Sequence, residues 1–459
     1  MSTLDVKDIE TGPGRRVEED GGMWENDIVK TPSVEKDPFG NEAVGEVHYK
    51  TLDWWQSGML MIAETVSLGV LSLPATVAEV GLIPYAISAI ILIVGMGIIA
   101  TYSGYVIGQF RARYPFIHSM ADAGEVLCGR YGRMFTEFAQ LVFFMFASGS
   151  HLVTFTVMMN TLTNHGTCSV VFGVVGLVLS FACSLPRTMK NVSWLAVTSF
   201  ISIFSAVLIT MIGVAVEHPH PAPMQLTRST SFVKGFSAVT NIAFAYCGHP
   251  AFFGFIAEMK DPKDFPKSLC MLQGFEIVFY TVASAVIYRY AGQNVTSPAL
   301  GSAGIVVRKV AYGIAIPTIV IAGVVLGHVA IKNVYVRLFR GTDVMHKRSA
   351  LGVGAWIGLA AGYWIIAWVI AEAIPVFSDL VSLVSALFAS WFSFGLPGVF
   401  WLYMYWGNYF TSVRKTLLTL ANLALFGIGA TICVCGLWVS GLSISSDSSG
   451  SSFSCANNA

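Results

Sequence analysis

The stretch Ala63-Glu64-Thr65-Val66-Ser67-Leu68-Gly69-Val70-Leu71-Ser72-Leu73-Pro74 is apolar enough to lie in a bilayer, yet it holds a carboxylic acid, a glycine and a proline. Glycine weakens a helix through backbone entropy, and proline through a missing N–H and a clash with the preceding turn. A helix broken at mid-membrane exposes peptide groups that hydrocarbon cannot satisfy, so breaks occur where protein, water or a substrate satisfies them. A simple kink is the competing reading for this fragment alone, since both residues are common in membrane helices. A second interruption, Phe244-Ala245-Tyr246-Cys247-Gly248-His249-Pro250, follows roughly 180 residues later. Paired interruptions at matching positions of two halves point to a transporter binding site. Half-helix N-termini favour an anion such as a carboxylate, and freed carbonyls favour a cationic group, so a zwitterion suits both.

Composition agrees with a chain that spans a membrane many times. Of 459 residues, 54% are hydrophobic and 12% charged, against about 25% charged in ordinary soluble domains. The first 53 residues carry 19 of the 54 charges and sum to −7, leaving +7 on the body. Too few charges remain to solvate a soluble globule, which excludes a cytosolic enzyme, a nucleic-acid binder and a small secreted scaffold. Residues 1–53 read as a disordered acidic cytoplasmic tail, 54–442 as the membrane domain and 443–459 as a short Ser-rich extracellular tail.

Eleven segments are long and apolar enough to cross a bilayer: 54–78, 83–109, 135–163, 169–186, 192–216, 234–258, 268–291, 305–331, 352–374, 378–403 and 416–442. With the N-terminus inside, basic residues of the membrane domain divide 16 inside to 5 outside, as the positive-inside rule requires. The segment from Ser119 to Glu125 reads as a short amphipathic cytoplasmic helix between spans 2 and 3. Asn294-Val295-Thr296 falls outside and is a glycosylation acceptor; Asn191-Val192-Ser193 falls at the inner edge and is not. The eight cysteines form no metal or disulfide framework; only Cys168 and Cys455 fall outside, where a bridge between them is open.

Ser67-Leu68-Gly69-Val70-Leu71-Ser72-Leu73-Pro74 resembles the Gly-x-Gly-x-Leu-x-Leu-Pro signature of the amino acid/auxin permease family. The stretch from Phe244 to His249, followed by Glu258-Met259-Lys260-Asp261-Pro262 and Asp264-Phe265-Pro266-Lys267, is similar to that family's sixth-span motif. Ala63-Glu64-Thr65-Val66-Ser67-Leu68-Gly69 looks most like the fungal neutral amino acid permeases, with Ser67 a departure where many members have glycine. The resemblance implies an all-α membrane fold: a five-plus-five inverted-repeat core with discontinuous helices 1 and 6, plus one extra C-terminal helix. Taken with the apolar pocket, which offers no buried Arg or Lys, and with Glu64 in span 1, the reading is inward, proton-coupled symport of neutral aliphatic and aromatic amino acids, with no cofactor beyond the co-transported proton.

The expected substrate groups are Ser67, Leu68, Gly69, Val70 and Leu71 of span 1, Phe244, Tyr246, Cys247 and Gly248 of span 6, and Ser148, Thr318 and Ser390 of spans 3, 8 and 10. Glu64, an ionisable residue deep in span 1, is the expected proton-coupling group. His151, Glu276, His249 and Glu372 are weaker candidates, each read first as a structural residue, and Phe252, Phe253 and Trp391 are read as packing or lipid-facing. Sodium coupling is the rival. In related sodium-driven folds span 1 carbonyls join a hydroxyl on the inner half of span 8, but Ile319 to His328 offers no Ser or Thr. The sequence also leaves open a vacuolar rather than plasma-membrane address, and an amino-acid sensor without flux. Lys7, Lys30, Lys36 and Lys50 are candidate acceptors for a ubiquitin ligase.

Overall fold

The computed structural model describes residues 50–80, 89–186, 192–217, 230–339, 349–446 and 452–458. Most of the acidic tail, with Lys7, Lys30 and Lys36, and the Asn191 sequon residue lie outside the described residues. The helices are α1 (Trp54–Thr65), α2 (Gly69–Val80), α3 (Ala89–Arg113), α4 (Met120–Thr163), α5 (Ser169–Ser184), α6 (Val192–Glu217) and α7 (Phe232–Ala245). They continue as α8 (His249–Glu258), α9 (Phe265–Ala291), α10 (Ile305–Phe339), α11 (Ala350–Ala373), α12 (Phe377–Val384), α13 (Leu396–Met404) and α14 (Val413–Ser446). Among the described residues eight helical stretches are long and apolar enough to cross a membrane, or nine when α1 and α2, bent by 58°, count as one. The expected spans 4 and 6 are helical too, but α5 has only 16 residues and α7 and α8 have 14 and 10.

Both expected interruptions are present, the first one turn after Glu64. The chain leaves helical geometry at Val66–Leu68, well ahead of Pro74, which lies inside α2. The second break covers Tyr246–Gly248, and Pro250 stands in the first turn of α8, where its missing N–H has no intrahelical partner to lose.

The expected amphipathic helix is present as the first part of α4, set off from span 3 by non-helical backbone at Cys128 and Gly129; Gly129 has φ +60°, a conformation that only glycine adopts cheaply. Ser119 and Asp122 close its N-terminus with a reciprocal capping box. Span 10 is not a plain α-helix, because Ser385–Gly395 is wound as a π-helix between α12 and α13. Backbone from α14 packs against that wide turn, where a Cβ on Gly429 would lie 2.7 Å from both Gly395 N and Ser390 O.

The start of α1 and the end of α8 are joined. Leu52 N–H donates to the Glu258 carbonyl at 3.1 Å and Lys260 N–H donates to the Leu52 carbonyl at 2.9 Å. The Lys260 ammonium pairs with Asp53 at 2.9 Å, and the Ser268 hydroxyl donates to the Trp54 carbonyl at 2.7 Å. On the opposite face, Cys168 and Cys455 form a disulfide. It holds residues 452–458 against the ends of α4, α5 and α11: Phe453 N–H donates to the Glu372 carbonyl at 3.1 Å, and the Ser169 hydroxyl donates to the Ala456 carbonyl.

Candidate functional site

The site is built where the two breaks meet. A Cβ added to Gly69 would stand 2.7 Å from the Ala245 Cα, and one added to Gly248 would collide with the Thr65 methyl. The start of α2 therefore touches the end of α7, and the start of α8 touches the end of α1. Each helix end leaves up to four backbone groups without intrahelical partners. The same small volume thus receives N–H groups from the starts of α2 and α8 and carbonyls from the ends of α1 and α7, a pair of opposed dipole ends.

A cavity of about 70 Å³ lies at this junction. Its lining includes Glu64, Thr65, Ser67, Leu68 and Gly69 from the first break and Phe244, Ala245, Cys247 and Gly248 from the second. The far wall is α4, through Phe143, Phe144, Ala147 and His151, with Leu326 from α10. Glu64 is half-buried, and among the described residues no side chain donates a hydrogen bond to its carboxylate. His151 is buried and its Nδ1 donates to the Ile319 carbonyl at 3.1 Å. A carbonyl only accepts, so Nδ1 carries the hydrogen and Nε2 of the neutral ring is the acceptor.

Several expected substrate residues sit elsewhere. Val70 and Leu71 are buried in α2 packing away from the cavity lining. Tyr246 is fully buried and stacks edge-on against Tyr280 of α9, with ring centroids 5.3 Å apart. The Ser148 hydroxyl pairs with the Tyr363 hydroxyl at 2.8 Å, fastening α4 to α11. Thr318 donates to the Ser199 carbonyl, fastening α10 to α6, and Ser390 donates to the Ala386 carbonyl at 2.8 Å within the π turn. These hydroxyls are spent on packing contacts. The wall residues Phe143, Phe144 and Ala147 were not expected; with His151 they fall at helical i, i+1, i+4 and i+8 spacing, a signal that a projection of span 3 would carry.

Among the weaker candidates, His249 is a packing residue: its Nε2 lies 2.8 Å from the Ser103 hydroxyl and 3.0 Å from the Ala100 carbonyl, joining α8 to α3. Among the described residues no group of three or more His, Cys, Asp or Glu is placed to hold a metal ion.

Comparison with known proteins bears on the family and the fold. Residues 50–442 match the family described as transmembrane amino acid transporter protein. The "N amino acid transport system protein" of Neurospora crassa is 37% identical over 415 residues, covering 88% of this chain and 87% of that protein. Among solved structures, MhsT in complex with L-phenylalanine has a TM-score of 0.53 at 13% identity, covering 85% of this chain and 100% of that one. A substrate-bound, outward-open Na+-coupled sialic acid symporter has a TM-score of 0.51 at 13% identity, covering 86% and 90%. At that identity the two structures speak for the fold alone.

Proposed function

The chain belongs to the transmembrane amino acid transporter protein family, and from that premise we propose that it carries neutral amino acids inward together with protons by alternating access. The observation that carries the reading is the junction of two interrupted helices around one cavity, with Glu64 lining it beside His151. The N–H groups of α2 and α8 would hold the substrate carboxylate, and the carbonyl ends of α1 and α7 its ammonium. Phe143, Phe144, Ala147 and Leu326 offer apolar surface to the side chain. With no Lys or Arg on the lining, an acidic side chain has no partner there, which supports neutral substrates.

A proton is favoured over sodium as the coupling ion. Glu64 supplies an acidic oxygen at the end of α1, and the facing part of α10 presents the Ile319 carbonyl already engaged by His151. Sodium takes a set of oxygen ligands, and Ile319 to His328 of α10 offers no Ser or Thr hydroxyl to join the α1 carbonyls. Counting each interrupted helix as one crossing gives eleven spans, which we divide into two five-span repeats led by α1–α2 and α7–α8, with α14 the extra helix. We place the protein in the plasma membrane with its N-terminus in the cytoplasm; the disulfide suits an oxidising outer face.

The test is uptake of a panel of labelled amino acids by the full-length protein in proteoliposomes, with pH and sodium varied independently. Accumulation of leucine or phenylalanine driven by a pH gradient without sodium is the expected result. Specific binding without flux would instead make the protein a sensor, and sodium-dependent accumulation would overturn proton coupling.

A further inference from the structure

Behind the cavity, on the face of the junction turned toward α9, lies a second carboxylic acid that the substrate site does not use. Glu276 is fully buried, and its Oε2 has no hydrogen-bond partner. Among the described residues no Lys, Arg or His pairs with it. The titratable groups facing it are Tyr246 from the second break and Tyr280 from its own helix, and the Thr65 hydroxyl approaches it from the end of α1. An ionised carboxylate with no counter-charge in such a place is costly, whereas the protonated acid is not.

The hydrogen count at Tyr280 gives this proton a consequence. The Tyr280 hydroxyl lies 3.1 Å from the Ala245 carbonyl, at the end of α7, and 3.5 Å from Glu276 Oε1. A phenol has one hydrogen and a carbonyl only accepts, so the shorter contact takes that hydrogen. Glu276 then faces the phenol oxygen favourably only when the acid carries its own proton and donates it. Loss of that proton to water leaves a carboxylate that draws the Tyr280 hydrogen to itself, and the Ala245 carbonyl is released. Ala245 lines the cavity and packs against Gly69, so this carbonyl belongs to the junction itself.

We propose that Glu276 is a second proton-binding residue of the transport cycle and that Tyr280 relays its protonation to the Ala245 carbonyl at the second break. The proposal rests on the proton-symport reading for its role, but the proton site can be read without transport.

The experiment uses the full-length protein in lipid. Infrared difference spectra across a pH titration should show a buried protonated carboxyl band that declines as pH rises and is missing from Glu276→Gln. Tyr280→Phe should keep the band at a shifted frequency. In proteoliposomes Glu276→Gln should lose about tenfold of the pH-driven accumulation of leucine, the size of an ordinary coupling free energy, while leucine–leucine exchange persists. Tyr280→Phe should show the same split, which covers the case in which Glu276→Gln does not fold. A band that ignores pH, or spectra that Glu276→Gln and Tyr280→Phe both leave unchanged, would overturn the proposal. A wild-type protein that titrates at Glu276 but accumulates nothing under a pH gradient would defeat the symport reading and leave the proton site standing.

Discussion

Gly69 and Ala245 meet backbone to backbone: a Cβ on Gly69 would lie 2.7 Å from the Ala245 Cα and 3.1 Å from its Cβ. The contact ties the two interrupted helices together at the substrate junction. Gly69→Ala must push α2 from α7, and overpacking of this kind costs about 1–3 kcal/mol. We expect a lower melting temperature in detergent and uptake reduced to background. Gly274→Ala, at a position with open space around it in α9, is the control and should leave both unchanged.

Glu64 supplies the cavity with its acidic oxygen. Glu64→Gln keeps the shape and removes the titration, so pH-driven accumulation should vanish while exchange of labelled for unlabelled substrate survives. Full accumulation by the variant in proteoliposomes with an acidic exterior would remove Glu64 from the coupling role.

His151 couples the cavity wall to α10 through its 3.1 Å bond to the Ile319 carbonyl. His151→Phe fills similar volume but removes this bond between α4 and α10, a net loss of roughly 0.5–1.5 kcal/mol. The variant should melt earlier and need more substrate for half-maximal uptake. Unchanged melting and an unchanged substrate titration would show that the imidazole contributes neither packing nor binding.

Asn294 ends an exposed 3-10 turn, Gly292–Asn294, between α9 and α10. If that loop faces the exterior, endoglycosidase treatment of protein expressed in a eukaryotic secretory pathway should increase its gel mobility, and Asn294→Gln should migrate like the treated form. A single unmodified species in both would place the loop on the cytoplasmic side.

The interruptions were legible because glycine and proline lower helix stability over the turn or two around them. The first opens at Val66–Leu68, one turn after Glu64 and directly before Gly69, while Pro74 is tolerated inside α2. Hydropathy marked span 10 but could not reveal its π winding, since a widened turn keeps the same apolar run. The sequence shows Ser148, Thr318 and Ser390 as hydroxyls on core helices, yet a hydroxyl can turn to a neighbouring carbonyl or phenol, and only packing decides that. Composition shows which helices are buried; it does not show how far each is rotated about its axis, and that rotation put Tyr246 against Tyr280 rather than into the cavity.

The Cys168–Cys455 bridge imposes an arithmetic of its own. Two sulfurs join only within one compartment, so the intervening chain must traverse the bilayer an even number of times. Among the described residues eight helical segments, α5 to α14 with each interrupted helix taken as one, lie between them and satisfy that parity. Reclassifying any single one as a re-entrant hairpin would strand the two cysteines on opposite sides. The short helices that fail a length criterion for crossing, α5 and the α7–α8 pair, must therefore either both cross or both turn back.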